Sequence, residues 1–312
     1  MSRLMVFVLV MLLPTGVLAQ GWSEGRPMDT ARAALAVAQM DGQIYAIGGA
    51  GRLAPMSVAE RYNPVQGNWR NITDLPVGLE QFGLAGLDGV LYAVGGYAAD
   101  GRGLPGQEFW KFDDIQGDWE PGPALPVRRA ALALVAAEGK LYAIGGSGQN
   151  LDQMAVFDPA LNEWEMIDGA PYARRGVAAV TLDGKIYVIG GGTAAAPTGT
   201  VDIFDIATGV WSQGPDLPIA RSSHAAAVFV GKIHVMGGRS GGRGITLKDH
   251  WIFDPKTEEW SQGEDLSIPR AGAGATAVGG SLFIIGGGVG GGFYAAFTSI
   301  NSVEVLRHLP DL

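Results

Sequence analysis

Six copies of one apolar hexapeptide, each ending in two glycines, constrain the fold of this chain more than any other feature. They are IYAIGG (44–49), LYAVGG (91–96), LYAIGG (141–146), IYVIGG (186–191), IHVMGG (233–238) and LFIIGG (282–287). The first glycine of each doublet stands at 48, 95, 145, 190, 237 and 286, so successive copies lie 45 to 50 residues apart. Six tryptophans keep register with them. Trp22, Trp69, Trp119, Trp164, Trp211 and Trp260 each precede the next doublet glycine by 26 residues. Tyr62, Phe112, Phe157, Phe204 and Phe253 each precede a tryptophan by seven. Length varies only between the doublet and this aromatic. A fixed period of this size marks a chain built from stacked structural units.

Each unit resolves into four strands. Strand A is short and rich in small residues, as in RAALAVAQM (32–40). A hairpin turn such as Asp41-Gly42, Asp88-Gly89 or Asp183-Gly184 follows. Strand B is the hexapeptide, strand C ends at the aromatic, and strand D carries the tryptophan. The alanine-rich stretches last about eight residues between breakers, too short for stable helices. Four strands per unit at this period predict an all-β, six-bladed propeller. Strand B is apolar on both faces because each blade is sandwiched between two others. Strand A is small because the inner strands converge on an axis. The glycines let backbones approach closely, and the large aromatics fill the wedges between blades. In the sixth unit strand C is SVEVL (302–306), and its tryptophan would fall at 313. Trp22 has the spacing of that missing residue. The first residues of the mature chain are therefore expected to form the outer strand of the last blade, tying the termini together.

The doublet, the tyrosine that begins each B strand after its first residue, and the spaced tryptophan resemble the kelch repeat. The resemblance covers 22–306. His234 and Phe283 replace the tyrosine in units five and six, which reads as a packing change. The resemblance implies a six-bladed kelch propeller and says little about chemistry.

The N-terminus is a separate object. Arg3 precedes an apolar run, Leu4 to Leu13, then Pro14 and a small-residue end with Val17 and Ala19. Residues 1–19 read as a secretory signal cleaved after Ala19, leaving 20–312 as one propeller domain in the periplasm or medium. The run is too short to span a bilayer. The chain has no cysteine, so neither a lipid anchor nor disulfides are available and packing must supply stability. Asn71-Ile72-Thr73 is a glycosylation sequon only in a host that glycosylates. Charged residues are 17% of the chain and the formal net charge is −9. Acidity argues against nucleic acid and against anionic membrane surfaces.

Sorting charge by loop predicts two unlike faces. The D–A connections and B–C loops emerge on one face, and the A–B and C–D turns on the other. Arg32, Arg129, Arg174, Arg221 and Arg270 each stand 16 residues before a doublet glycine. Arg128 and Arg175 lie beside that position, and Arg52, Arg102, Arg239 and Arg243 lie in B–C loops. The opposite turns carry acids such as Asp41, Asp88, Asp113, Asp158 and Asp254. One reading is an arginine-rich face that holds a carboxylate, an acidic sugar or an acidic peptide, since the guanidinium fork suits such groups. The other is that the repeated arginines pair with rim acids such as Asp74, Asp216 or Asp265. Unit two breaks the pattern with Leu79-Glu80-Gln81. Glu80 facing guanidiniums is a candidate general acid or base; its bland alternative is a rim salt bridge. Long B–C loops at 96–107, 238–249 and 287–301 contribute Tyr97, Phe293, Tyr294 and Phe297 as stacking surfaces or as plugs of the channel mouth.

Other chemistry is set aside. GGGVGGG (286–292) opens no helix, so a nucleotide loop fails on context. The four histidines, His224, His234, His250 and His308, lack metal-ligand spacing. His224 is expected to be a satisfied inner-strand histidine. No G-x-S-x-G nucleophile motif occurs, and no cofactor is implied. The leading function is an exported binding module for a protein partner or small anionic ligand. Its candidate residues are Arg32, Arg129, Arg174, Arg175, Arg221, Arg239, Arg243, Arg270, Tyr97 and Tyr294. Some exported bacterial kelch propellers are sugar-acid mutarotases, and this chain resembles them in architecture and export signal. That resemblance implies an isomerase, in which Glu80 and the arginines would act.

Overall fold

The computed structural model describes residues 21–51, 53–169, 174–193, 195–241, 244–290 and 298–308. The leader (1–19), Arg52, Arg243, Phe293, Tyr294 and Phe297 lie outside the described residues.

Six four-stranded antiparallel sheets follow one another in the order A–B–C–D. Blade 1 is Ala36–Met40, Gln43–Ile47, Ala59–Asn63 and Asn68–Asn71. The innermost strands touch in cyclic order from blade 1 to blade 6 and back to blade 1. Blade 6 takes its A, B and C strands from Gly274–Val278, Ser281–Ile285 and Val303–Arg307, and its outer strand from Ser23–Glu24. Ser23 faces Val305, a register that brings Trp22 beside Leu306 in one apolar cluster. The first described residues therefore complete the last blade, as the tryptophan spacing predicts.

The seven-residue interval has a local cause. Within five blades the aromatic and the tryptophan stand directly opposite, as in Tyr62↔Trp69 and Phe112↔Trp119. The five ring pairs have centroids 5.0–5.1 Å apart. The Asx residue at the start of the C–D turn accepts backbone N–H groups with its side-chain oxygen: Asn63 from Val65 and Gln66, Asp113 from Ile115. Such side-chain caps fix a turn length. Five of the six indoles donate their ring N–H to a backbone carbonyl: Trp69 to Arg26, Trp119 to Thr73, Trp164 to Pro123, Trp260 to Pro215 and Trp22 to Glu264; the Trp211 Nε1 is buried with no partner among the described residues. The aromatics both fill the wedges and fasten the outer edges.

The glycine doublet joins blades. The second glycine donates its N–H to the carbonyl at the repeated arginine position of the next blade: Gly49 to Leu79, Gly96 to Arg129, Gly146 to Arg174, Gly191 to Arg221, Gly238 to Arg270 and Gly287 to Arg32, all at 2.7–2.9 Å. That carbonyl leaves no room for a side chain on the first glycine. A Cβ on Gly95 would lie 2.5 Å from the Arg129 oxygen, and its φ is +65°.

A second ring runs closer to the axis. Ala34, Gln81, Ala131, Gly176, Ser223 and Gly272 all have φ between 52° and 62°. Each donates its N–H to the preceding member's carbonyl, and Ala34 closes the circle on Gly272, with every N···O distance 2.7–2.9 Å. Four of the six are not glycine. A left-handed residue with a side chain costs about 1–2 kcal/mol, which the closed set of hydrogen bonds offsets.

Candidate functional site

The repeated arginines are pillars of this scaffold. Arg32, Arg129, Arg221 and Arg270 are fully buried and Arg174 is 3% exposed. Arg32 donates to the carbonyls of Gly48, Val58 and Ala46 and to Glu60 (3.0 Å). Arg174 pairs with Asp202, Arg221 with Asp249 (2.5 Å), and Arg270 with Glu304 (2.5 Å). Arg129 forms no salt bridge with a described residue and donates to the carbonyls of Ala143, Asn150 and Gln153; burial, opposed by the charge of Asp152, lowers it to about 10. The ligand-binding role expected for these five is corrected. Their guanidiniums turn into the blades to satisfy loop carbonyls, so none presents charge to the channel. Their ion-pair partners also differ from the rim acids proposed for them. They are residues of strand C or just before it, and Asp265 pairs instead with Lys248 (3.5 Å).

The other candidates do converge. A cavity of about 1080 Å³ opens on the axis and is lined by Glu80, Gln81, Tyr97, Arg175, Thr193, Ser222, Ser223 and Arg239 among small residues. An adjoining space of about 450 Å³ shares Glu80, Gln81, Ser223 and Arg239 and continues past Leu35, Phe82, Leu132, Val177 and His224. Repeat symmetry explains the convergence. The residue after the arginine position pairs with the second residue after the first doublet glycine in every blade. These pairs are Ala33–Ala50, Glu80–Tyr97, Ala130–Ser147, Arg175–Gly192, Ser222–Arg239 and Ala271–Gly288. Adding the axial ring gives three tiers that face the bowl. Alanine and glycine fill most of the tiers. Glu80, Gln81 and Tyr97 break them in blade 2, Ser147 in blade 3, Arg175 in blade 4, and Ser222, Ser223 and Arg239 in blade 5.

The polar groups there are poorly neutralised. No ion pair with a described residue involves Glu80, Arg175 or Arg239. Burial raises the Glu80 carboxyl above its usual range, with the Gln81 side chain acting in the opposite sense. Burial lowers the Arg239 guanidinium, whose Nε has no hydrogen-bond partner. The Tyr97 hydroxyl shares a hydrogen bond with Ser147 Oγ at 3.0 Å, which holds the ring at the wall. Arg128 is exposed, and Arg102 is 71% exposed beside Asp100. Neither lines the bowl.

His224 differs from expectation. It is 6% exposed and neither ring nitrogen has a partner. It stands where Leu35 and Leu132 stand in blades 1 and 3, wedged between blades. Burial and the charges of Arg221 and Arg174 lower it to about 3. His234 Nδ1 and His250 Nε2 are 2.8 Å apart in the seam between blades 5 and 6. Among the described residues no group of three or more potential ligands is arranged to hold a metal ion. Gln81, Ser222 and Ser223 were not singled out from sequence. Aligning the two residues after each arginine position across the six units would have found them.

Residues 83–287 match the KLHDC2/KLHL20/DRC7 kelch-repeats domain, and 31–76 match the kelch motif. Human Kelch-like protein 33 is 32% identical over 83 residues, which is 27% of this chain and 16% of that protein. An F-box/kelch-repeat protein of Arabidopsis thaliana is 36% identical over 77 residues, 24% of this chain and 19% of its own. The match thus spans under a fifth of either relative. The solved structure of YjhT superposes with a TM-score of 0.80 at 18% identity, covering 92% of this chain and 98% of that one. The repeat register, the closed six-blade ring and the match over 83–287 agree: this chain belongs to the kelch-repeat β-propeller family.

Proposed function

We propose that this kelch propeller is an exported binding module that holds a small anionic molecule in the axial bowl. One observation carries the reading. Three symmetry-related tiers are mostly alanine and glycine, yet the residues that break them with charge converge on one cavity, and they have no ion-pair partners among the described residues. Arg175 and Arg239 supply forked donors for a carboxylate. Gln81, Ser222, Ser223 and Thr193 supply neutral hydrogen-bonding groups of the kind that orient a ligand in a concave site. The bowl's volume suits a molecule of sugar-acid size.

Thermal shift and calorimetry of the mature chain against sugar acids and other small carboxylates test this. Binding stabilises the fold in proportion to ligand excess over Kd. The expected result is a shift that Arg175→Ala and Arg239→Ala abolish while leaving the unliganded melt intact. No shift with any compound would move the assignment to a macromolecular partner, the usual role of kelch propellers. Export is tested separately, by a secreted product whose N-terminal mass begins at Gln20.

Glu80 favours a second reading, a mutarotase-like isomerase. A half-buried carboxyl with a raised pKa, set in the wall of an anion-binding bowl, has the character of a general acid or base. Exchange NMR on a bound sugar acid would show anomer interconversion faster than in buffer. Glu80→Gln should remove that acceleration without removing binding.

A further inference from the structure

The bowl has two electrical poles. Blades 2 and 5 are three steps apart either way around the ring, so they stand opposite one another. Glu80 and Tyr97 belong to blade 2, Arg239 to blade 5 and Arg175 to its neighbour blade 4. The floor between them is the neutral axial ring. Its members are linked by single N–H···O bonds, which puts neighbouring Cα atoms about 5–5.5 Å apart and opposite ones roughly 10–11 Å apart. Elsewhere buried charges are mostly paired: Arg32, Arg174, Arg221 and Arg270 each have a carboxylate. Among the described residues Glu80, Arg175 and Arg239 have none, because the ring holds the two signs on opposite walls.

We propose that the ligand is a zwitterion whose carboxylate meets Arg175 and Arg239 and whose ammonium meets Glu80 and the face of Tyr97. This rests on the anion-site reading and adds the chemistry of the other end. A ligand that covers Glu80 without a cation would leave a desolvated carboxylate unpaired, which is costly. A hydroxyl donor offsets less of that cost than an ammonium, because charge-assisted hydrogen bonds are about twice as strong as neutral ones. Tyr97 adds independent support. It pairs directly with Glu80 across the strands, its ring lines the bowl, and an aromatic face beside a carboxylate suits an ammonium. Burial raises the Glu80 carboxyl, a shift that a cation held beside it would oppose. Opposite walls set the charges several ångströms apart, so the class is extended: an ω-amino acid, a short peptide or an amino-sugar acid.

Calorimetry on the mature protein with 6-aminohexanoate, 6-hydroxyhexanoate and hexanoate separates this inference from the reading beneath it. In wild type the amino compound should bind about tenfold tighter than the hydroxyl compound. The advantage should shrink to within about twofold in Glu80→Gln and fall partway in Tyr97→Leu, which keeps the carboxylate. Arg239→Ala should weaken all three probes alike. Equal binding of the three by wild type overturns the zwitterion and leaves the anion site standing. An amino advantage that survives Glu80→Gln also overturns it. No binding of any probe, with the folded state confirmed by circular dichroism, overturns both.

Discussion

Three buried histidines should make this propeller acid-labile well above the carboxylate range. His224 and His234 are lowered to about 3 and His250 to about 4, chiefly by burial. Their folded pKa values lie below the unfolded value, so the unfolded chain binds more protons as pH falls below 6.5 and stability is lost. Between pH 7 and 5 a histidine that stays neutral in the fold and titrates normally when unfolded forfeits about 2 kcal/mol, and three forfeit roughly 5. The size depends little on the folded values provided they lie under about 5, since only the unfolded state titrates in that window. Asp158, Asp205 and Asp254, which are lowered, change little there. Five kcal/mol is a large share of the roughly 5–15 kcal/mol that holds a domain folded. Urea denaturation followed by tryptophan fluorescence at the two pH values measures the difference directly. His224→Leu restores the residue found at that place in blades 1 and 3 and should remove about a third of the pH dependence. A wild-type difference under about 1 kcal/mol, or an unchanged slope in His224→Leu, would refute the argument.

Other perturbations divide scaffold from site. Arg270→Ala leaves the Glu304 carboxylate buried and unpaired and should cost about 3–5 kcal/mol in denaturant melts, whereas Arg175→Ala, on the exposed wall, should leave stability within about 0.5 kcal/mol of wild type. Gly95→Ala puts a Cβ 2.5 Å from the Arg129 carbonyl in a left-handed conformation, so its thermal midpoint should fall by more than a surface Gly42→Ala, where nothing lies within 4 Å. Trp22→Ala removes the indole that donates to Glu264 and stacks edge-on against His250 at 5.5 Å. It should destabilise the whole ring by at least about 2 kcal/mol in a single cooperative transition; a separate early transition of the N-terminus alone would contradict closure through blade 6.

The scaffold was legible in the sequence because it is written six times. One repeated spacing, tryptophan to glycine, reports one physical constraint at every junction: an indole packed at the rim, hydrogen-bonded in five of six cases, and a backbone pressed against its neighbour nearer the axis. The arginine position is written almost as often, and its repetition led toward a ligand-binding face. A residue demanded by the scaffold must recur wherever the scaffold does, so recurrence is evidence of structural work. Arg32, Arg174, Arg221 and Arg270 recur because each of their blades has loop carbonyls and a carboxylate on or just before strand C to satisfy. The proposed ligand, by contrast, would occupy the axis once and without six-fold symmetry. The residues that bind it must break the repeat.

That argument also explains which parts of the site escaped the sequence. Glu80 stood out because it follows the one leucine in the arginine column. Arg175 was swept in with its structural neighbour Arg174, although a single step along the chain turns one guanidinium into the blade and the other into the bowl. Gln81 and Ser223 were hidden for a different reason. Their backbone conformation is left-handed, a state that local sequence does not announce outside glycine and asparagine, and only the ring of hydrogen bonds imposes it. Ala131 and Ala34 accept the same conformation with no function to show for it. A Cβ on Gly176 or Gly272 would crowd the next member of the ring, but Gln81 and Ser223 stand where Ala34 and Ala131 serve the same backbone role, so their polar side chains exceed what the ring itself requires.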